Sequence, residues 1–140
     1  MSWDVFLFDA PSGCTDLSHM PDGWEMPSLG SGPEVVARLA KSFPDVDLSD
    51  PTWGHLVGSS WSIELNIGDE EPIKAIMLHV RGSGDDVVPV VAAIAAVVGA
   101  RAWDISSGAF LDETAPAADG WRGFQQYRDQ VLGPEANGNN

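Results

Sequence analysis

His79 and Arg81 stand two residues apart in the run Ile76-Met77-Leu78-His79-Val80-Arg81, whose apolar positions recur at every second residue. In a strand, that spacing puts the imidazole and the guanidinium on one face and Leu78 and Val80 on the other. The preceding run, Trp61 to Ile67, alternates in the same way, with Ile63 and Leu65 set against Glu64 and Asn66. The turn Gly68-Asp69-Glu70-Glu71-Pro72 between the two runs has hairpin length. If the two apolar sets share one face, then Glu64, Asn66, Met77, His79 and Arg81 share the other. Asp104 from a later strand and Phe6 or Phe8 from the first are expected as neighbours. Such a surface supports two chemistries. General acid–base work would need His79 within hydrogen-bond reach of a reacting group. A cross-strand ion pair between Glu64 and Arg81 needs nothing beyond adjacent positions.

Other constellations carry less. Arg81-Gly82-Ser83-Gly84-Asp85-Asp86 lies between a strand and a helix start, where a helix dipole would welcome an anion. Asp85 and Asp86 already occupy that place, and neither the Walker A nor the dinucleotide spacing is present. His19, His55 and His79 are far apart, with no paired-Cys or HExxH spacing, and no metal ligand set is expected. Asp45, Asp47 and Asp50, with Asp16 and Asp22, lack the glycine and terminal glutamate of an EF-hand. Cys14 is the single cysteine, so no internal disulfide forms, and nothing basic stands beside it in the sequence to activate the thiol. No catalytic residue and no cofactor are assigned on these grounds.

The elements that must position the face follow from periodicity and turn chemistry. Trp3 to Phe8 reads as a buried strand. Ala10 to Gly32, dense in proline and glycine, reads as a long loop, of a length that is usually functional or poorly ordered. Ser31 and Glu34 have capping-box spacing, with Pro33 in the first turn, and open a helix whose apolar stripe is Val35, Val36, Leu39 and Phe43. A second helix runs Val87 to Val98, capped by an aspartate and stopped by Gly99. Ala102 to Ser106 is the last strand, and Trp121 to Leu132 a terminal helix. The order β-α-β-β-α-β predicts a ferredoxin-like α+β fold: a four-stranded antiparallel sheet with two helices on one face and a C-terminal extension. Residues 1–133 form one domain and 134–140 a disordered tail.

The chain has 140 residues and a formal charge of −14, with 21 acidic side chains against seven Lys plus Arg. The acids are spread from Asp4 to Glu135, which disfavours nucleic acid and anionic membrane and favours encounter with a basic protein partner. No apolar run is long enough to span a bilayer. Met1-Ser2-Trp3-Asp4 lacks the basic start of a signal peptide, so the cytoplasm is the expected compartment. Val87 to Val98 has no charged side chain, whereas a surface helix normally carries a polar stripe. Its outer side is therefore expected to be covered, either by Trp121, Phe124 and Tyr127 or by a homodimer mate. Trp24, Trp53 and Trp121 are candidate interface anchors.

Pro51-Thr52-Trp53-Gly54, Ser62 to Gly68, Ile76 to Gly82 and Ser107-Gly108-Ala109-Phe110-Leu111 together resemble a family of small acidic bacterial proteins of unassigned function, over about residues 1 to 113. The resemblance transfers no catalytic role. In size and charge such proteins are similar in character to immunity proteins that neutralise secreted toxins. The leading expectation is an acidic interaction module, of immunity type, for a basic partner. The alternative is a small-ligand binder or enzyme using the face around His79 and Arg81.

Overall fold

Alternation along Trp3-Asp4-Val5-Phe6-Leu7 sends Trp3, Val5 and Leu7 to one side of strand β1 (Trp3–Phe8), where all three are buried. The computed structural model describes residues 2–111, 121–126 and 129–130. After β1 come helix α1 (Gly32–Ser42), strands β2 (Trp53–Val57), β3 (Trp61–Asn66) and β4 (Ala75–Gly82), helix α2 (Val87–Val98), and strands β5 (Arg101–Asp104) and β6 (Ala109–Phe110). A 3-10 turn occupies Leu17–His19, and residues 121–126 are helical.

The strands form one sheet in the order β2-β3-β4-β1-β5-β6, with every neighbouring pair antiparallel. The expected four-stranded ferredoxin-like sheet with two helices is thus overturned by a six-stranded open sheet. The added strands lie at its two edges. Trp53-Gly54-His55-Leu56-Val57 contains a glycine and follows Pro51, so its sequence carries no clear strand alternation. The Leu48 side chain lies 2.9 Å from where a Cβ on Gly54 would stand, so this strand passes close under its covering loop. β6 is only two residues long, below any periodic signal.

Both helices lie on one side of the sheet. The buried Val35 and Leu39 of α1 join Ile63, Leu65, Ile76, Leu78 and Val80 in one core with the inward residues of α2. α1 starts where its capping box demands: Ser31 Oγ accepts from Glu34 N at 3.2 Å, and Glu34 Oε1 accepts from Ser31 N at 3.4 Å. α2 stops at Gly99, whose φ of 76° is the left-handed conformation a helix C-terminus uses. Its start departs from expectation. Asp86 makes no side-chain cap, and its carboxylate accepts instead from Trp61 Nε1 at 3.2 Å.

Trp121 and Phe124 do not supply the expected cover over α2, which corrects that half of the expectation. Val87, Val88, Val91, Ile94, Ala95 and Val98 are buried, while Pro89, Ala92, Ala93 and Ala96 face outward and are exposed. An all-apolar helix tolerates this because alanine exposes little apolar area per residue. Trp121 and Phe124 go elsewhere, to the core around Trp3; Tyr127 and the tail at 134–140 lie outside the described residues. Among those described, no helix is long and apolar enough to cross a membrane.

Candidate functional site

The face of the sheet away from the helices is divided in two by what the strands put there. On the β1–β5–β6 half it is apolar. Phe8, Ala10 and Trp103 are buried, with Phe6, Ala75 and Phe110 beside them. The Ala10–Gly32 loop lies down on this half, packing Met20, Trp24 and Met26 against it. Trp24 meets Phe8 edge-on, ring centroids 6.0 Å apart. Arg101 holds the loop's start: its Nη1 donates to the Pro11 and Cys14 carbonyls at 2.6 and 2.8 Å, and its guanidinium lies over Phe110. Cys14 is buried beneath, its Sγ 3.0 Å from the Asp16 carbonyl oxygen.

The β2–β3–β4 half is polar and, among the described residues, carries no such layer. Pairing register aligns His55, Glu64, His79 and Asp4 in one row across β2, β3, β4 and β1. The next row is Trp53, Asn66, Met77 and Phe6. Glu64, Asn66, His79 and Arg81 therefore share the surface that alternation assigned them. Asp4 Oδ1 bonds His79 Nδ1 at 2.8 Å, which orients the imidazole. Arg81 reaches diagonally to Glu64 and forms an ion pair with it. The Trp53 ring stacks on His79 with centroids 5.9 Å apart and planes 23° from parallel. Asn66 is exposed at the sheet end.

Asp104 is not part of this face, which corrects the sequence reading. Register pairs it with Val5, so it points with Val5 to the helix side, where it is 0% exposed. The carboxylate accepts from Trp3 Nε1 at 2.9 Å and from the Ser106 amide and hydroxyl at 3.0 and 2.8 Å. The Ser107 hydroxyl donates to its other oxygen at 2.8 Å. Asp104 is a structural hub for the β5–β6 turn. Trp121, proposed as an interface anchor, is likewise buried within the chain, its ring tilted against Trp3 and stacked on Phe124. Trp24 and Trp53 remain half-buried.

Two contributors escaped the sequence reading. Asp4 alternates with Trp3 and Val5, so strand parity alone would have added it beside Phe6. His55 belongs to β2, whose glycine and neighbouring proline hide the strand in the sequence. The backbone of Asp47 bridges His55 in both directions, at 2.8 and 3.0 Å, and so guards the outer edge of β2. Hydrogen bonds from the Ser49 hydroxyl and amide hold the Asp47 carboxyl below its ordinary range, with a smaller contribution from His55. Asp50 is lowered in the same way by Thr52. Among the described residues, no three side chains of metal-ligating type converge.

The ion pairs of this face lie at an open surface. Side-chain exposure is 24% for His79, 40% for Asp4, 44% for Arg81 and 27% for Glu64. Solvent screens such pairs, so Arg81→Gln and Glu64→Gln are each expected to cost about 0–1 kcal/mol in urea unfolding. A loss above about 2 kcal/mol would mean that the network is desolvated and structural. Comparison of the chain with protein-family models, with curated proteins and with solved structures gives no match in any of the three.

Proposed function

We propose that the protein is an acidic interaction module whose open half-sheet receives a basic protein partner. The observation that carries this reading is the arrangement around Trp53. A half-buried aromatic ring, stacked on His79, stands among partly exposed polar pairs on a sheet half that no helix covers among the described residues. An aromatic anchor inside a polar surround is the usual anatomy of a binding hot spot. The charge of −14 selects the sign of the partner and speeds encounter with it. Occlusion of a basic enzyme by an inhibitor of immunity type is the form of this function that the chain's size and charge favour.

The test is capture of a partner on the immobilised protein, followed by stopped-flow association at varied salt. A basic partner is expected, with an on-rate that falls steeply from about 20 to about 200 mM salt as the Debye length contracts from roughly 20 Å to under 10 Å. Trp53→Ala, checked for an unchanged melting curve, should weaken binding by about 2 kcal/mol or more. An on-rate indifferent to salt, or a Trp53→Ala variant that binds as well as wild type, would sink the proposal.

A second reading has one observation in its favour. The Asp4–His79 hydrogen bond fixes the ring through Nδ1, and Nε2 has no hydrogen-bond partner among the described residues, as a general base requires. His79→Gln keeps a polar side chain of similar reach. Partner binding and stability both unchanged in that variant would leave the imidazole without a role.

A further inference from the structure

On the helix side of the sheet, where α1 begins, the turn between β3 and β4 and the Pro51-Thr52 turn enclose a cavity of about 360 Å³. That volume lies at the lower end of the range for small-molecule sites. Its floor is apolar, formed by Pro33, Val36, Pro51 and Ile73. Its rim is acidic, with Asp69, Glu70 and Glu71, and neither lysine nor arginine lines it. Glu71 is already engaged: both of its carboxylate oxygens accept from the Gly32 N–H at 3.1 Å. The helix N-terminus, which would otherwise attract an anion, is thereby satisfied from within the chain. Asp69 and Glu70 are exposed and have no hydrogen bond or ion pair among the described residues.

An apolar floor under an acidic mouth sorts ligands by charge. Anions meet three carboxylates and no compensating base. Neutral apolar molecules gain the floor alone. A cation on an apolar body gains both, burying its hydrocarbon against Val36 and Ile73 while its ammonium group donates charge-assisted hydrogen bonds to Asp69 and Glu70. We propose that this cavity binds a small organic cation: a primary amine on an apolar body about the size of a phenyl ring. The site is separate from the open face around His79, and the proposal does not depend on that face having a partner.

The test uses three probes of one shape that differ in charge: phenethylamine, phenethyl alcohol and phenylacetate. Each is titrated into ¹⁵N-labelled protein and followed by amide chemical shifts. Phenethylamine is expected to give saturable shifts confined to Gly32, Val36 and the 68–71 turn. The alcohol should bind about tenfold more weakly and phenylacetate not at all. The double variant Asp69→Asn, Glu70→Gln alters two exposed side chains, so its amide spectrum should report an intact fold. Its affinity for phenethylamine should fall about tenfold. Shifts that fail to saturate, or that scatter over other acidic surfaces, would reduce the amine to a counterion of the whole protein and overturn the proposal. Equal binding of the alcohol, or an undiminished affinity in the double variant, would overturn it as well.

Discussion

Trp121→Ala is expected to cost about 3–5 kcal/mol of stability, the range for truncating a buried indole. Trp121 is 0% exposed, and its ring lies 5.3 Å from Trp3 and 5.7 Å from Phe124, centroid to centroid. Its Nε1 donates to the Gly84 carbonyl at 2.7 Å, which fixes the turn leading into α2. Removal leaves a void beside the first strand and an orphaned carbonyl at the start of a helix. Both penalties fall on the same place. Denaturant unfolding should record the loss at an unchanged m-value, with a fall in Tm of about 10 °C or more. Trp121→Phe keeps most of the apolar volume and loses the indole N–H, so it should cost clearly less. Deleting residues 115–140 removes Phe124 from the core as well, and should be at least as damaging as the point substitution. A change below about 1 kcal/mol in Trp121→Ala would mean that the 121–126 helix is not docked in solution.

Asp104→Ala is the second large effect, expected at about 3 kcal/mol or more. The carboxylate is 0% exposed and gathers Trp3 Nε1, the Ser106 amide and hydroxyl and the Ser107 hydroxyl. Alanine strands the indole N–H of a fully buried tryptophan and frees the turn that brings β6 back onto β5. Asp104→Asn separates charge from geometry. Its amide oxygen can still accept from Trp3 and Ser106, and its NH₂ can donate to the Ser107 hydroxyl. The asparagine variant should retain most of the stability, at a loss of about 1 kcal/mol. Equal losses for the two variants in urea unfolding would show that the negative charge itself holds the turn. An alanine variant within about 1 kcal/mol of wild type would contradict the hub role.

The contrast between Asp104 and His79 explains where sequence reasoning held. His79, Arg81, Glu64 and Asn66 lie in strands long enough to show alternation, and their apolar partners declare which side is inward. The shared face was therefore legible. β5 has four residues and a burial pattern in which Ala102, Trp103 and Asp104 are all buried. Trp103 is covered from one side by the 10–32 loop and Asp104 from the other by Trp3, so no alternation survives to reveal the phase. A buried aspartate in such a strand looks like a surface residue until its donors are in view. Trp121 was misjudged for a related reason. An aromatic residue after a long polar stretch reads as an exposed anchor, and nothing local reveals that Trp3, more than a hundred positions earlier, offers it a ring to pack against.

The acidic charge, the alternation of β1, β3 and β4, the capping box of α1 and the glycine stop of α2 are local properties, carried by spacing and side-chain type within a few residues. They determined that β1, β3, β4, α1 and α2 exist and that Glu64, Asn66, His79 and Arg81 share a face. Strand count, the edge strands β2 and β6, the side to which Asp104 points, the loop laid over Phe8 and Trp103, and the cavity beside α1 were decided only by tertiary structure. Each depends on residues far apart in the chain meeting across a sheet or a packed layer. Pairing partners and cover are chosen by total burial and hydrogen bonding, and a window of neighbouring residues contains neither quantity.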